Sequence, residues 1–269
     1  MGTTESLLYD DRPPDESENQ TYPAAVSHPS EQRHSGHLAN PSTTSGPQSK
    51  KPTRPITRLS GVVVGGPKVG KRTLLQRLQG IDPFARDAKS PDLSSVTIAY
   101  KPPPGMPTWN RIQLQVEKRN PNDFPKVDFV LIILRLSRDD TQQEIQTMIL
   151  QAIGVYLQNL GYTENDKSND SCAPVCICVL YNFRDLSKEP ETNRALQALE
   201  ETLGTLIKTF LEQYSIPSDR LILEFLSTSL RNGYGLDHLH HFIYRTYLQK
   251  KREALEAQLR AVTAQILQT

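Results

Sequence analysis

The sequence predicts an α/β domain, a mostly parallel sheet with helices on both faces. Three observations carry that expectation. Short apolar runs alternate with helical periodicities from Leu59 onward, as in strands joined by crossover helices. The first run closes in a glycine loop, Gly65-Gly66-Pro67-Lys68-Val69-Gly70-Lys71. Two later runs end in Asn182-Phe183-Arg184-Asp185 and Ser229-Leu230-Arg231. All three motifs therefore fall beyond the carboxyl ends of strands, where ligands of such sheets bind.

Residues 1–55 hold eight of the chain's twenty prolines among Ser, Thr, Asn, Glu and Gln, with almost no apolar clustering. Such a segment buries too little surface to offset chain entropy, which predicts a disordered tail. It ends in the basic cluster Lys50, Lys51, Arg54 and Arg58, read first as a solvated linker. Leu59 to Gly65 then reads as a buried central strand. The next helix carries Leu74, Leu75 and Leu78 and stops at Gly80. Ser94 to Tyr100 and Ile112 to Val116 are strands separated by the turn Pro102-Pro103-Pro104-Gly105. Val127 to Leu136 is nearly continuously apolar, as in a strand covered on both faces. The capping box Thr141-Gln142-Gln143-Glu144 opens a helix ended by Gly161. Val175 to Leu180 is a strand, Pro190 starts a helix, Leu221 to Leu226 is the last strand, and a final helix begins near Leu236.

Composition excludes several function classes. The 269 residues carry a net charge of +1, so no bulk field draws the chain to nucleic acid or membrane. No secretory signal or long apolar run is visible, which predicts a cytoplasmic or nuclear setting. Cys172, Cys176 and Cys178 are too few and too clustered for a disulfide framework. With no fourth ligand nearby they read as buried strand cysteines rather than a zinc site. His238, His240 and His241 lie in the first turns of a helix without an acidic or cysteine partner, and read as ordinary helix surface.

The glycine loop presents successive backbone N–H groups, and the helix beginning near Lys71 adds its positive end, so the pair cradles phosphates. Lys71 is placed to neutralise terminal phosphates, with Lys68 a further cation beside it. Arg72 stands where the loop pattern calls for the hydroxyl that coordinates magnesium. Thr73 follows, but one step along a helix turns a side chain away by about 100°. Asp-x-x-Gly is missing after the third strand; Glu117-Lys118-Arg119-Asn120 stands there, and only Glu117 could approach a metal. Ser90, Ser94 and Ser95 sit in no diagnostic switch pattern. Hydrolysis needs magnesium, an acid to hold it and a group that orients water, so binding is expected and efficient turnover is not.

Asp185 can accept hydrogen bonds from the guanine ring nitrogen and its exocyclic amine, which adenine does not offer in that geometry. Asn182 can brace the loop and touch the purine; Phe183 replaces the usual Lys between them and keeps a stacking face. A plain Asn/Asp turn is the competing reading. The Leu230 N–H is expected to meet the guanine carbonyl, with Arg231 stacked across the ring.

These residues resemble the Ras/Rab superfamily of small GTPases, and within it the divergent Rab-like branch that contains Parf. Gly65 to Lys71 matches the first family motif, Asn182 and Asp185 the fourth, and Thr228-Ser229-Leu230-Arg231 is a softened fifth. Gly70 to Gly80, Pro174 to Leu186 and Gly235 to Leu259 carry the closer likeness. The resemblance covers roughly residues 56–260. It implies a P-loop three-layer fold with a six-stranded sheet, GTP or GDP as ligand, and a role set by protein partners. Arg72, Phe183 and the missing third motif depart from the pattern and leave magnesium open. The expected organisation is a tail over 1–55, a Rab-like G-domain over 56–247 and an amphipathic helix over 248–269.

Three functions compete: a nucleotide-binding scaffold or slow switch, an active GTPase using Thr73 as metal ligand, and a nucleotide-free interaction module. Partners are expected to be protein effectors or scaffolds rather than nucleic acid. Leu248, Leu255, Leu259, Val262 and Ile266 recur as in a coiled-coil seam that Arg252 interrupts; folding back on the domain is the alternative. Met1-Gly2-Thr3-Thr4-Glu5-Ser6 fits the myristoylation pattern with Gly2 as acceptor, and membrane contact is expected only if that acylation occurs. The C-terminal cysteine that would take a prenyl anchor is not present in this sequence.

Overall fold

The computed structural model describes residues 55–85, 93–102, 104–105, 111–135, 142–164, 173–182 and 190–267. The expected tail, Gly2, Thr141, Cys172, Phe183 and Asp185 lie outside them. Along the chain run β1 (Ile56–Val64), α1 (Lys71–Leu78), β2 (Ser95–Tyr100), β3 (Arg111–Lys118), β4 (Phe129–Arg135), α2 (Gln142–Leu160), β5 (Val175–Asn182), α3 (Pro190–Glu212), β6 (Leu221–Ser227) and α4 (Leu236–Leu267). The strands form one six-stranded sheet in the order β2-β3-β1-β4-β5-β6. Only β2 is antiparallel to its neighbour. This is the three-layer α/β fold expected, a mostly parallel six-stranded sheet with helices on both faces.

Burial follows from position in the sheet. β4 and β5 are flanked by strands and covered on both faces, so their apolar side chains are buried without alternation. β1 divides its side chains by period two. Leu59 and Val63 join the core beneath α1 and α4, and Val62 and Val64 join the core beneath α2 and α3. In β3, Ile112, Leu114 and Val116 are buried while the residues between them are at least partly exposed. Among the described residues only one face of this edge of the sheet is covered, because no helix follows β3 before β4.

The ten-residue link from β3 to β4 stays open because of register. β3 ends with Lys118 opposite Val63, while β4 starts with Phe129 opposite Gly61. The Arg119 N–H donates to Val63 O, and the Asp128 N–H to Ser60 O. The link therefore descends by about three residues, roughly 10 Å, and crosses β1 over a similar width. Ten extended residues reach about 33 Å, so no helix is needed to span the gap. Phe124 and Val127 anchor the link in the core on the α2 side, and Asn159 of α2 donates to the Phe124 carbonyl.

α4 is continuous from Leu236 to Leu267, about 48 Å at 1.5 Å per residue. Leu239, Phe242, Ile243 and Tyr247 are buried, whereas Leu255, Leu259, Val262 and Ile266 are 52–68 % exposed. The apolar seam does not fold back on the domain.

Candidate functional site

The glycine loop occupies the turn from β1 into α1, and its glycines are set by close approach. A side chain at Gly65 would collide with the Ile133 carbonyl of the neighbouring strand. Gly70 has φ 107°, and a Cβ there would lie 2.6 Å from Asn182 Nδ2. It caps α1 without any side-chain cap, and the first turn holds no acidic residue, so the amides at this helix start keep their positive end uncompensated. Lys68, at φ 56°, bends the loop where a non-glycine residue rarely goes.

The Lys71 ammonium turns into the loop and donates to the carbonyls of Gly65 and Gly66. Burial first, and then the charge of Lys118, holds it below the usual lysine range. Beside the loop, on the α2 side, lies a cleft of about 530 Å³. It is lined by Gly65 to Val69, Lys71, Asn120, Arg135 and Glu144 together with the apolar Ile133, Ile145 and Met148. Arg72 and Thr73 are half-buried on the first turn of α1.

Asn182 ties the expected motifs together. It is buried at the end of β5; its Nδ2 donates to Val69 O at 2.9 Å and its Oδ1 accepts from the Leu230 N–H at 3.0 Å. The same side chain thus braces the glycine loop and the loop after β6. This corrects the expectation for Leu230: its amide is spent on Asn182 rather than open to a base carbonyl, and its side chain is core. In the same loop the Ser229 hydroxyl is buried without a hydrogen-bond partner among the described residues. Arg231 is exposed.

Glu117 also needs correcting as a metal candidate. Its carboxylate accepts from Arg119 Nε at 3.0 Å and Nη2 at 2.6 Å, and from Gln115 Nε2 at 2.8 Å. These contacts hold it on the sheet face away from α1. Among the described residues, no group of three or more His, Cys, Asp or Glu could hold a metal. Cys176 and Cys178 are buried in β5, and burial pushes the Cys176 thiol up to about 12, far from a ready thiolate. His238 and His241 are exposed helix surface, but His240 is not: its ring stacks on Tyr100 with centroids 5.7 Å apart, and Tyr100 donates to its carbonyl.

Sequence reasoning missed Arg77. From the last turn of α1 it donates through Nε to Leu230 O at 3.1 Å and through Nη2 to Arg231 O at 2.5 Å, while pairing with Asp82 at 3.1 Å. A basic residue in a last helical turn usually meets its own helix's carbonyls, so nothing local marked this longer reach.

No family model matches the chain, and no curated protein matches it. Among solved structures, it is similar to a structure of Methanosarcina barkeri Roco2 RocCORdC bound to GDP. The identity is 15 %, with 73 % of this chain and 50 % of that one covered and a TM-score of 0.42. The chain thus spans about half the length of that structure. Among the described residues, no helix is long and apolar enough to cross a membrane.

Proposed function

We propose that this chain is a guanine-nucleotide-binding protein of the divergent Rab-like kind, binding GTP or GDP and acting through protein partners as a scaffold or slow switch. One observation carries the reading: Asn182 holds the glycine loop and the loop after β6 in one frame at the carboxyl edge of the sheet. The uncapped start of α1 suits a phosphate, and the unpartnered Ser229 hydroxyl leaves a polar group for a ligand in the loop that would cap the base. Lys71 would hold the terminal phosphates, Asp185 and Asn182 would read the purine, and Arg231 would cover it. A cytoplasmic or nuclear setting belongs to the same proposal. Thermal shift with GDP, GTP and ATP tests it: guanine nucleotides raise the melting temperature and ATP does not.

Slow turnover follows from what surrounds the loop. Arg72 replaces the hydroxyl of the magnesium ligand, and Glu117 is committed to Arg119. A guanidinium at the helix start supplies positive charge that magnesium otherwise brings, without organising an attacking water. Nucleotide affinity is therefore expected to be indifferent to chelator, and Arg72→Ser to gain magnesium dependence. Loss of nucleotide from the native chain on chelation would overturn this role. Magnesium-dependent phosphate release would instead support Thr73 as metal ligand.

A nucleotide-free interaction module is the second reading. It is favoured by Lys71, whose ammonium is satisfied by the Gly65 and Gly66 carbonyls, and by the Leu230 amide, satisfied by Asn182. The absence of a thermal shift with every nucleotide would select it.

A further inference from the structure

The loop after β6 is closed at its base by its own backbone and held at its tip from outside. The Ser229 N–H donates to Tyr234 O at 3.1 Å, and the Gly233 N–H donates to Ser229 O at 2.9 Å. Leu230 and Arg231, at the tip, meet side chains of two other elements. Asn182 of β5 accepts from the Leu230 N–H, while Arg77 of α1 donates through Nε to Leu230 O and through Nη2 to Arg231 O.

The two carbonyls that Arg77 takes flank the Cα of Arg231. Holding both peptide planes holds the two backbone dihedrals between them, and with those the direction in which the Arg231 side chain leaves the chain. Arg231 is exposed, so packing does little to direct it and its backbone decides where it starts. A guanidinium suits this task because its donors form a rigid planar fork. The fork is itself oriented: Nη2 lies 3.1 Å from Asp82 Oδ1, and the Arg77 side chain is 17 % exposed. Asp82 in turn accepts from the Phe84 N–H at 3.1 Å, which ties the guanidinium to the turn after α1.

We propose that Arg77 is the positioning residue of the base-capping loop: it aims Arg231 over the nucleobase, and so contributes to affinity for the base and not for phosphate. This rests on the guanine-nucleotide reading above and deepens it, adding a residue of α1 that acts through Arg231 rather than by touching the ligand. Arg77 acting as a diffuse positive charge predicts the reverse. The phosphates carry the ligand's charge, so pyrophosphate would then lose at least as much affinity as GDP.

Calorimetry on the full chain, with GDP and inorganic pyrophosphate as probes, separates the two. Arg77→Gln is expected to weaken GDP about tenfold, the size of one or two lost hydrogen bonds, and to leave pyrophosphate within about twofold. Asp82→Asn loosens the fork from an exposed position and serves if Arg77→Gln does not fold. It is expected to weaken GDP by about twofold to threefold and to leave pyrophosphate no weaker. In an Arg231→Ala background, Arg77→Gln is expected to cost less than about twofold more, because its route to the base has gone. Equal loss of both probes, unchanged GDP affinity in Arg77→Gln, or full additivity with Arg231→Ala overturns the inference while the guanine-nucleotide reading stands. Pyrophosphate binding without GDP binding removes the base reading and the inference with it, and binding of neither probe removes both.

Discussion

Asn182 concentrates the consequences at the residue scale. Its two side-chain hydrogen bonds join Val69 and Leu230, 113 and 48 residues away in sequence. Asn182→Ala would leave a buried carbonyl and a buried amide unpartnered, at about 1–3 kcal/mol each. A loss of about 3 kcal/mol in urea unfolding is expected, and an unchanged midpoint would deny Asn182 its bracing role. In the proposed function Asp185 would carry selectivity, because its paired acceptors match donors of guanine that adenine lacks. Asp185→Asn replaces one acceptor by a donor, so xanthine nucleotides should gain and guanine nucleotides lose affinity in competition binding. Equal binding of ATP and GTP by the native chain would remove that assignment. Asn182 was legible because its motif has a fixed place after an apolar run. Arg77 was not, because its partners Leu230 and Arg231 lie 153 and 154 residues away and are backbone atoms, which have no residue identity to match. The Leu230 amide was misassigned for a related reason: the sequence places a donor in the loop but does not say that Asn182 reaches it first.

At the scale of elements, the sequence pattern located the six strands and four α-helices among the described residues, and missed the 3-10 turn Ser218–Arg220; the other differences lie at the ends. β1 begins at Ile56 rather than Leu59, because β3 offers Arg111 as a pairing partner at that level. Ladder pairing extends a strand beyond its apolar run, and no composition signal records it. The feasibility of the short β3–β4 link comes from the register of β3 and β4 on β1, which composition does not record. α4 is where a surface rather than a core is at stake. Leu255, Leu259, Val262 and Ile266 are spaced by four, three and four residues and exposed, a seam that suits a second helix. Arg252 is held by Asp219 at 3.1 Å and by Glu256 at 2.7 Å, so the seam starts only after the helix has left the domain. Light scattering should show association in the full chain and a monomer in a chain ending at Gln249, with the same melting temperature for both. A monomeric full chain at high concentration would leave the seam without a helical partner of its own kind.

For the molecule as a whole, the sheet is the body through which the helix layers act on the loop edge, and one contact tests how tightly that body is packed. Gly61 in β1 has no side chain because Phe129 of β4 lies over it; an added Cβ would fall inside the Phe129 ring. Phe129 in turn meets Phe242 of α4 edge to face, with centroids 6.0 Å apart. β1, β4 and α4 are thereby locked by shape at a point below the glycine loop, at a level where the β3–β4 link has just returned to the sheet. Gly61→Ala should overpack this point and cost about 1–3 kcal/mol, since the Phe129 ring has Phe242 behind it and cannot retreat freely. Phe129→Ala should cost about 3–5 kcal/mol through the cavity it leaves. In the double variant the new methyl occupies part of that cavity, so the two losses should fall short of their sum by about 1 kcal/mol or more. Urea unfolding of the four proteins gives this coupling directly. Additive losses would mean that the ring moves aside at little cost, and that the close approach of β4 to β1 is not what selects glycine at position 61.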